Sequence, residues 1–568
     1  MNGQRGALMF ITPLLMVVVV LLSVLALDGA RLYSLRQDMQ AQANAAASAA
    51  AGITQTCTSL SGASTFNDIE TEARRLAMES GWDGQGDFLA AAGVMEATDG
   101  DFAFRESGLL QANSVAIRYR RSAPISMLIP ERFGRVGLEV TAASRKEVLA
   151  TVSAVGTTAI AGGDTASATV LNSLLGGLFN GGSPYSFSPT SLNQLADVTV
   201  RLGDLLDDTG VGSVVNRLPV DAEGLAQALS TVLDGASPAG ILVDDLLKNA
   251  AGLEGVSVEK VLKLAEDGAV VPENATIPVY DLLMSMTLNV LQGTSVMLNN
   301  IGVSIPGLAN VGASIQVFNA PSVVVAPARQ DASQQWIGHV ETADVAIVLN
   351  AEINLNIIVL GTGVRVLVDL PIEVQTGVGT ADLVRAECAQ GLFNQVRFGV
   401  RGQSGVASVS GAADVNAQLA LLGIPITLLG LRLNLDLPVG SNSFDVDSQP
   451  MPLDEPQPET ISVGGGLGLG GITGANLTVT GSAHAGSFSC GLLCSALNLL
   501  LTPIIGAVNG ILQSQLVGLV TNLLDAVIDP LLSGLGLSLG VVDIQISDAQ
   551  QGRMILLEDL PSEIFDNQ

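Results

Sequence analysis

Aromatic residues are scarce in this chain: Phe, Trp and Tyr make up 4% of 568 residues, with only 2 Trp and 4 Tyr. Burial must therefore rest on Leu, Val, Ile and Ala, a composition that suits extensive sheet and amphipathic helix. Histidine is scarcer still. His339 and His484 are the whole set, and with 4 cysteines they leave few donors for a tetrahedral zinc site. Positive charge is short as well, because 25 Lys and Arg face 54 Asp and Glu, for a net charge of −29. The deficit is uneven: residues 1–150 carry 13 basic and 15 acidic side chains, and the remainder carries 12 and 39. Such an acidic body repels phosphate backbones, which excludes nucleic acid as a partner. Disorder is excluded too, by an apolar content of 48% and a mean hydropathy of +0.47.

Charge is missing altogether from Ala7 to Leu27, a run of 21 residues between Arg5 and the polar stretch that starts at Asp28. A helix of that length crosses the roughly 30 Å hydrocarbon core of a bilayer while satisfying its own backbone. A secretory signal is the competing reading, but its apolar region is about 7–15 residues and ends at a small-x-small site. Leu25-Ala26-Leu27-Asp28 is a poor match to such a site. The expectation is a retained anchor, with residues 1–6 as a cytoplasmic leader and everything after Asp28 outside the cytoplasm. An even number of cysteines, Cys57, Cys388, Cys490 and Cys494, then faces an oxidising compartment as disulfide candidates. Three pairings are open.

Beyond the span, Leu32, Leu35, Met39 and Ala43 recur three or four apart, so the helix is expected to continue outward to about Ala51. Its Ala-dense face suits close packing, on another helix or on its own domain. Phe66–Ser80 reads as a second helix capped by Thr65 or Asn67, broken by GWDGQGD. Short strands follow from Phe88 to Val155, with a helical turn over Met127–Phe133.

The opening segment resembles the N-terminus of the TadE/TadG-like proteins of the bacterial Flp, or tight-adherence, pilus assembly system. The resemblance rests on Arg5-Gly6, the apolar span, Leu27-Asp28 with Arg31-Leu32-Tyr33, and the Ala-rich helix, and it extends over about residues 1–160. The chain departs from the processed pilin pattern at Ile11, where a prepilin peptidase substrate cut after Gly6 would carry Glu. The resemblance implies a pilin-like α+β domain at residues 28–160. It also implies a membrane-anchored role in pilus assembly or adhesion, with the inner membrane and other pilus-assembly proteins as partners and the body periplasmic or extracellular.

The rest divides into a helical module at 161–300, a strand-rich domain at 301–448, an exposed Pro-rich linker at 449–460, and Gly-rich strands with apolar helices at 461–568. Within the module, Tyr280–Asn299 reads as one helix. Gly486–Asn522 is free of charge, and apolar helices packed in the exterior domain are favoured there over a second span. The fold class is thus α+β.

No catalytic constellation emerges, and neither an enzyme nor a cofactor is expected. Gly536-Leu537-Ser538-Leu539-Gly540 fits the nucleophile-elbow pattern, yet both histidines precede Ser538 and the flanks are repetitive. Asp207-Asp208, Asp244-Asp245 and Asp454-Glu455 lack calcium-loop spacing and read as solvated faces. Asp83–Asp87 reads as a turn, and Trp82 and Trp336 as packing anchors. A second functional reading is a cell-envelope binding module for lipid or another apolar ligand, motivated by long strands beside the uncharged segment.

Overall fold

The computed structural model describes residues 5–58, 65–98, 101–126, 134–154, 165–207, 213–249, 252–265, 269–298, 308–359, 362–389, 394–405, 407–421, 424–453, 457–463, 477–485, 518–535, 537 and 541–565. Helices and strands are mixed, as an α+β class requires. Outside the described residues lie Met127–Phe133, Cys490, Cys494, Ser538 and most of Gly486–Asn522.

Helix α1 runs unbroken from Arg5 to Ala51, which at 1.5 Å per residue is about 70 Å. Helix α2, Phe66–Glu79, starts where Thr65 and Asp68 form a reciprocal capping box. Its i,i+4 pair Glu70–Arg74 and the bracket of Arg75 by Glu72 and Glu79 support the exposed face.

Both helices pack on one face of a sheet made of β1 (Asp87–Thr98), β2 (Asp101–Glu106), β3 (Ser114–Pro124) and β4 (Arg135–Arg145), all antiparallel. The core between them is small-residue rich. Ala43, Ala46, Ala47 and Ala50 of α1 and Ala73 and Ala77 of α2 meet Phe88, Ile117, Tyr119 and Val140. The Ala-dense face of α1 is thereby covered by its own domain. Trp82, Phe88 and Tyr119 form an aromatic cluster at its edge, ring centroids 4.9–6.2 Å apart.

At Arg145 the chain leaves this sheet, and after two residues β5 (Val148–Ser153) enters a second one. That sheet also contains β7 (Leu262–Leu264), β11 (Val323–Pro327), β21 (Glu459–Val463) and β23 (Val542–Gln551), in the order β21-β23-β5-β11-β7. The last strand in sequence, β24 (Ile555–Glu558), crosses back and pairs with β4. Segments 28–160 and 461–568, separate in the sequence reading, thus share two sheets. Their pairing partners lie about 400 residues apart, as in Ala150↔Ala549, and no local pattern encodes such a contact.

The helical module holds α3 (Thr165–Phe179), α4 (Pro189–Asp197), α5 (Ala222–Val232), α6 (Pro238–Asn249) and α7 (Val279–Val290), with a short ladder of β6 (Thr199–Arg201) and β8 (Thr276–Pro278). Tyr280–Asn299 is not one helix: α7 stops, Gly293 turns the chain at φ +79°, and β9 (Ser295–Leu298) follows as an edge strand. A β-branched pair at Thr294 and Val296 and the turn glycine favour that break.

The largest sheet has seven antiparallel strands, ordered β22-β18-β17-β14-β13-β10-β9. They are β10 (Leu308–Asn319), β13 (Asp344–Val359), β14 (Thr362–Thr376), β17 (Ala407–Leu421), β18 (Ile424–Val439) and β22 (Leu477–Ala485) with β9 at the edge. On β14, Val368, Leu370, Ile372 and Val374 are buried while Asp369, Glu373 and Gln375 face out, the period of two expected of a half-buried strand. A smaller sheet of β12 (His339–Glu341), β15 (Thr380–Glu387), β16 (Gln395–Gln403) and β19 (Ser443–Asp447) completes the set among the described residues. The Pro-rich segment is not an exposed linker throughout. β20 (Met451–Pro452) pairs with β16, and Met451 and Leu453 are buried because they are the apolar members of an otherwise polar stretch. Residues 518–535 form a helix containing a π turn at Leu524–Ile528 and ending in α8 (Asp529–Gly534), and its Leu523, Val527 and Leu531 join the same core as the seven-stranded sheet.

Candidate functional site: the long helix and its junction with the body

The two halves of α1 meet different surroundings. Over its apolar half the side chains stand clear of the rest of the molecule: Leu14, Leu21, Leu25 and Leu27 are 59–72% exposed. An 18-residue window there reaches a mean hydropathy of 2.5 with none of it buried. By length and composition this is one helix able to cross a membrane, and a signal sequence meets the same description. From Met39 the helix becomes a packed element of the first sheet. Two contacts fix its polar side to the distant β24 region: Arg36 pairs with Asp559 at 3.0 Å, and Asn44 donates to Glu558 at 2.7 Å.

Where α1 ends, the chain dives inward. Thr54, Gln55, Thr56, Cys57 and Thr58 are all buried, an unusual run of polar residues for a core. Thr54 Oγ1 donates back to the Ala51 carbonyl at 2.9 Å, and the next three residues reach into the body. Gln55 Nε2 donates to the Val384 carbonyl at 2.6 Å, and Thr56 Oγ1 donates to the Lys146 carbonyl at 2.9 Å. Lys146 Nζ reaches the Ala389 carbonyl at 3.4 Å, and burial pushes this ammonium's pKa down. Cys57 and Cys388 are joined by a disulfide, which ties the foot of α1 to the end of β15.

Beside this plug sits a buried ionic triad that the sequence did not disclose. Glu147, 1% exposed, accepts from Arg145 Nη2 at 2.6 Å and from Arg329 Nε at 3.0 Å, and the two arginines are 4% and 0% exposed along their side chains. Burial alone would raise the Glu147 pKa, but the two guanidiniums more than offset it and hold the carboxyl below its ordinary range. The Glu147 carbonyl also accepts from the Gly552 amide, so the triad locks both crossings between the first and second sheets together. Charges on Arg145, Lys146 and Glu147 between two apolar strands were the one available signal.

The remaining sequence candidates separate cleanly. Asp83–Asp87 is a turn: Asp83 Oδ1 accepts from the Gln85 amide, and the Gln85 carbonyl accepts from Trp82 Nε1 and Tyr119 Oη. Gly86 is at φ +97°, and a Cβ there would lie 2.3 Å from the Arg120 carbonyl oxygen. Asp245 is engaged by Tyr185 and Lys248. Trp82 is a core residue, whereas Trp336 is half-buried and borders an open cleft with Val220, Lys260 and Lys263. His339 sits between Asp382 at 2.6 Å and Glu341 at 3.3 Å, and its hydrogen bond to Asp382 raises its pKa despite partial burial. Among the described residues no group of three or more His, Cys, Asp or Glu is placed to hold a metal ion.

Compared with protein-family models, curated proteins and solved structures, the chain matches none.

Proposed function

We propose that this protein is a membrane-anchored component of the bacterial cell envelope, of the Flp or tight-adherence pilus type, acting through protein contacts. Residues 7–27 lie in the inner membrane, and the body stands on the periplasmic or outer side. The observation that carries the reading is the division of α1 into a bare apolar half and an Ala-rich half laid on a small antiparallel sheet, a pilin-like arrangement. The Cys57–Cys388 bond suits an oxidising compartment, and the acidic body suits solubility there. Because α1 is welded to the body by the buried plug and the disulfide, the body stands at a fixed attitude to the membrane instead of on a flexible tether.

Deletion of the gene in its own host, with crosslinking of the full-length protein in intact cells, tests this. Reduced pilus display or surface attachment, together with capture of pilus-assembly proteins, is expected. Unaltered pilus export with no crosslinked assembly protein contradicts it.

A further inference from the structure

Basic residues are rare enough in the body for their pairing to be informative. Arg217, Lys248, Arg329, Arg385, Arg397 and Arg401 each meet a carboxylate. Lys260, Lys263 and Arg365 form no ion pair among the described residues, and neither do Arg201 and Arg553, although the chain carries more than two acids for every base. Arg201 and Arg553 both line one cleft of about 1020 Å³, where the ladder β6-β8 faces the crossing from β23 to β24. Arg145 lines it as well. One arm of its guanidinium holds Glu147, and its other terminal nitrogen, Nη1, is buried without a hydrogen-bond partner. Thr276, in the same lining, is buried, and its amide donates to Asp548 at 2.8 Å. Asp204 is the single carboxylate among the lining residues.

Three guanidiniums converging on one cleft of an acidic protein, two of them unpaired, are an arrangement that repels cations and lacks an anion. We propose that this cleft binds a small organic oxyanion, a phosphate or carboxylate group carried on a compact apolar scaffold. The guanidiniums of Arg201 and Arg553 take the oxyanion by fork-shaped donation, and Arg145 at the base adds positive potential. Val232 and Val270, 42% and 40% exposed, offer apolar surface at the cleft for the scaffold. Since the cleft lies at the crossing between the two sheets, a bound anion also bridges the helical module and the β23–β24 connection.

The test uses the full chain in neutral-detergent micelles at 150 mM salt, titrated calorimetrically with inorganic phosphate, acetate and benzoate. Saturable binding is expected, with benzoate at least tenfold tighter than acetate because of its ring. Arg201→Gln and Arg553→Gln should each weaken binding about tenfold or more, while Arg397→Gln, an exposed arginine on another sheet, should leave it unchanged. Both test positions are exposed, so folding is preserved, and unchanged far-ultraviolet circular dichroism verifies this. Repeating the titration in nanodiscs of phosphatidylglycerol and of phosphatidylcholine identifies the source: competition by phosphatidylglycerol marks a lipid headgroup, equal affinity a soluble ligand, and either outcome sustains the oxyanion site. Absence of saturable binding by all three anions, or binding that survives Arg201→Gln/Arg553→Gln, overturns it.

Discussion

Replacing Glu147 by Gln removes one charge and almost no volume, so it isolates the electrostatic part of the junction. In the wild-type protein Glu147 lies 2.6 Å from Arg145 and 3.0 Å from Arg329, with all three side chains at most 4% exposed. Taking away the carboxylate leaves two buried guanidiniums facing a neutral amide, and loss of one partner of a buried ion pair costs about 3–5 kcal/mol. The pH dependence follows from the lowered pKa of Glu147. A carboxyl ionised more readily when folded contributes its stability in full above its unfolded pKa, about 4.3, and loses it as pH falls through the lower folded value. Wild type and E147Q should therefore differ most at neutral pH and converge in acid. Because a chain of this length need not unfold in one step, the readout is hydrogen exchange at amides of β4, β5, β23 and β24, followed with urea at pH 7 and again at acidic pH. A loss below about 1 kcal/mol at pH 7, or one that is the same at every pH, refutes the reasoning.

The Cys57–Cys388 bond spans 331 residues, and loop-closure entropy puts its contribution at up to roughly 5–6 kcal/mol. Peptide mapping without reduction should recover the Cys57–Cys388 pair, and C57A/C388A should lower the urea midpoint of the body; an unlinked pair contradicts the junction as described. Gly86→Ala meets the Arg120 carbonyl and a left-handed backbone at once, so it should destabilise the Trp82 cluster by about 1–3 kcal/mol, seen as loss of its near-ultraviolet circular dichroism. His339 should titrate above its ordinary 6.5 because of Asp382, and D382N should bring its NMR midpoint down. Stability from this pair is fully present below the unfolded pKa and is lost as pH rises through the higher folded one, so the β12–β15 edge should loosen on the alkaline side.

Local chemistry made some of this legible from residues alone. An uncharged run followed by three-and-four spacing gave α1 its length, and of the two cap candidates for α2, Thr65 and Asn67, it is Thr65 that caps the helix. Alternation in stretches such as Val368–Val374 marked half-buried strands. What escaped was nonlocal. The β23 and β24 strands complete sheets begun by β5 and β4, and nothing near Val542 or Ile555 announces those partners. Met451 and Leu453 were outweighed by the prolines around them, although two buried apolar side chains were enough to lay the segment on β16. The triad was hidden for a similar reason. Arg145, Lys146 and Glu147 look like a solvated turn until Arg329 arrives from nearly two hundred residues away to enclose them. Arg201 and Arg553 carry no local signal at all, since it is their convergence that makes a site.

The proposed function requires that α1 stays in a membrane with the body outside it. Native membranes washed with alkaline carbonate and then treated with protease from the outer face test it directly, with the mass of the intact chain measured in parallel. The protein is expected to remain in the pellet with residues 7–27 retained, and protease to reach the body. Release by carbonate, a mass that lacks the apolar segment, or a body protected from outside would contradict it.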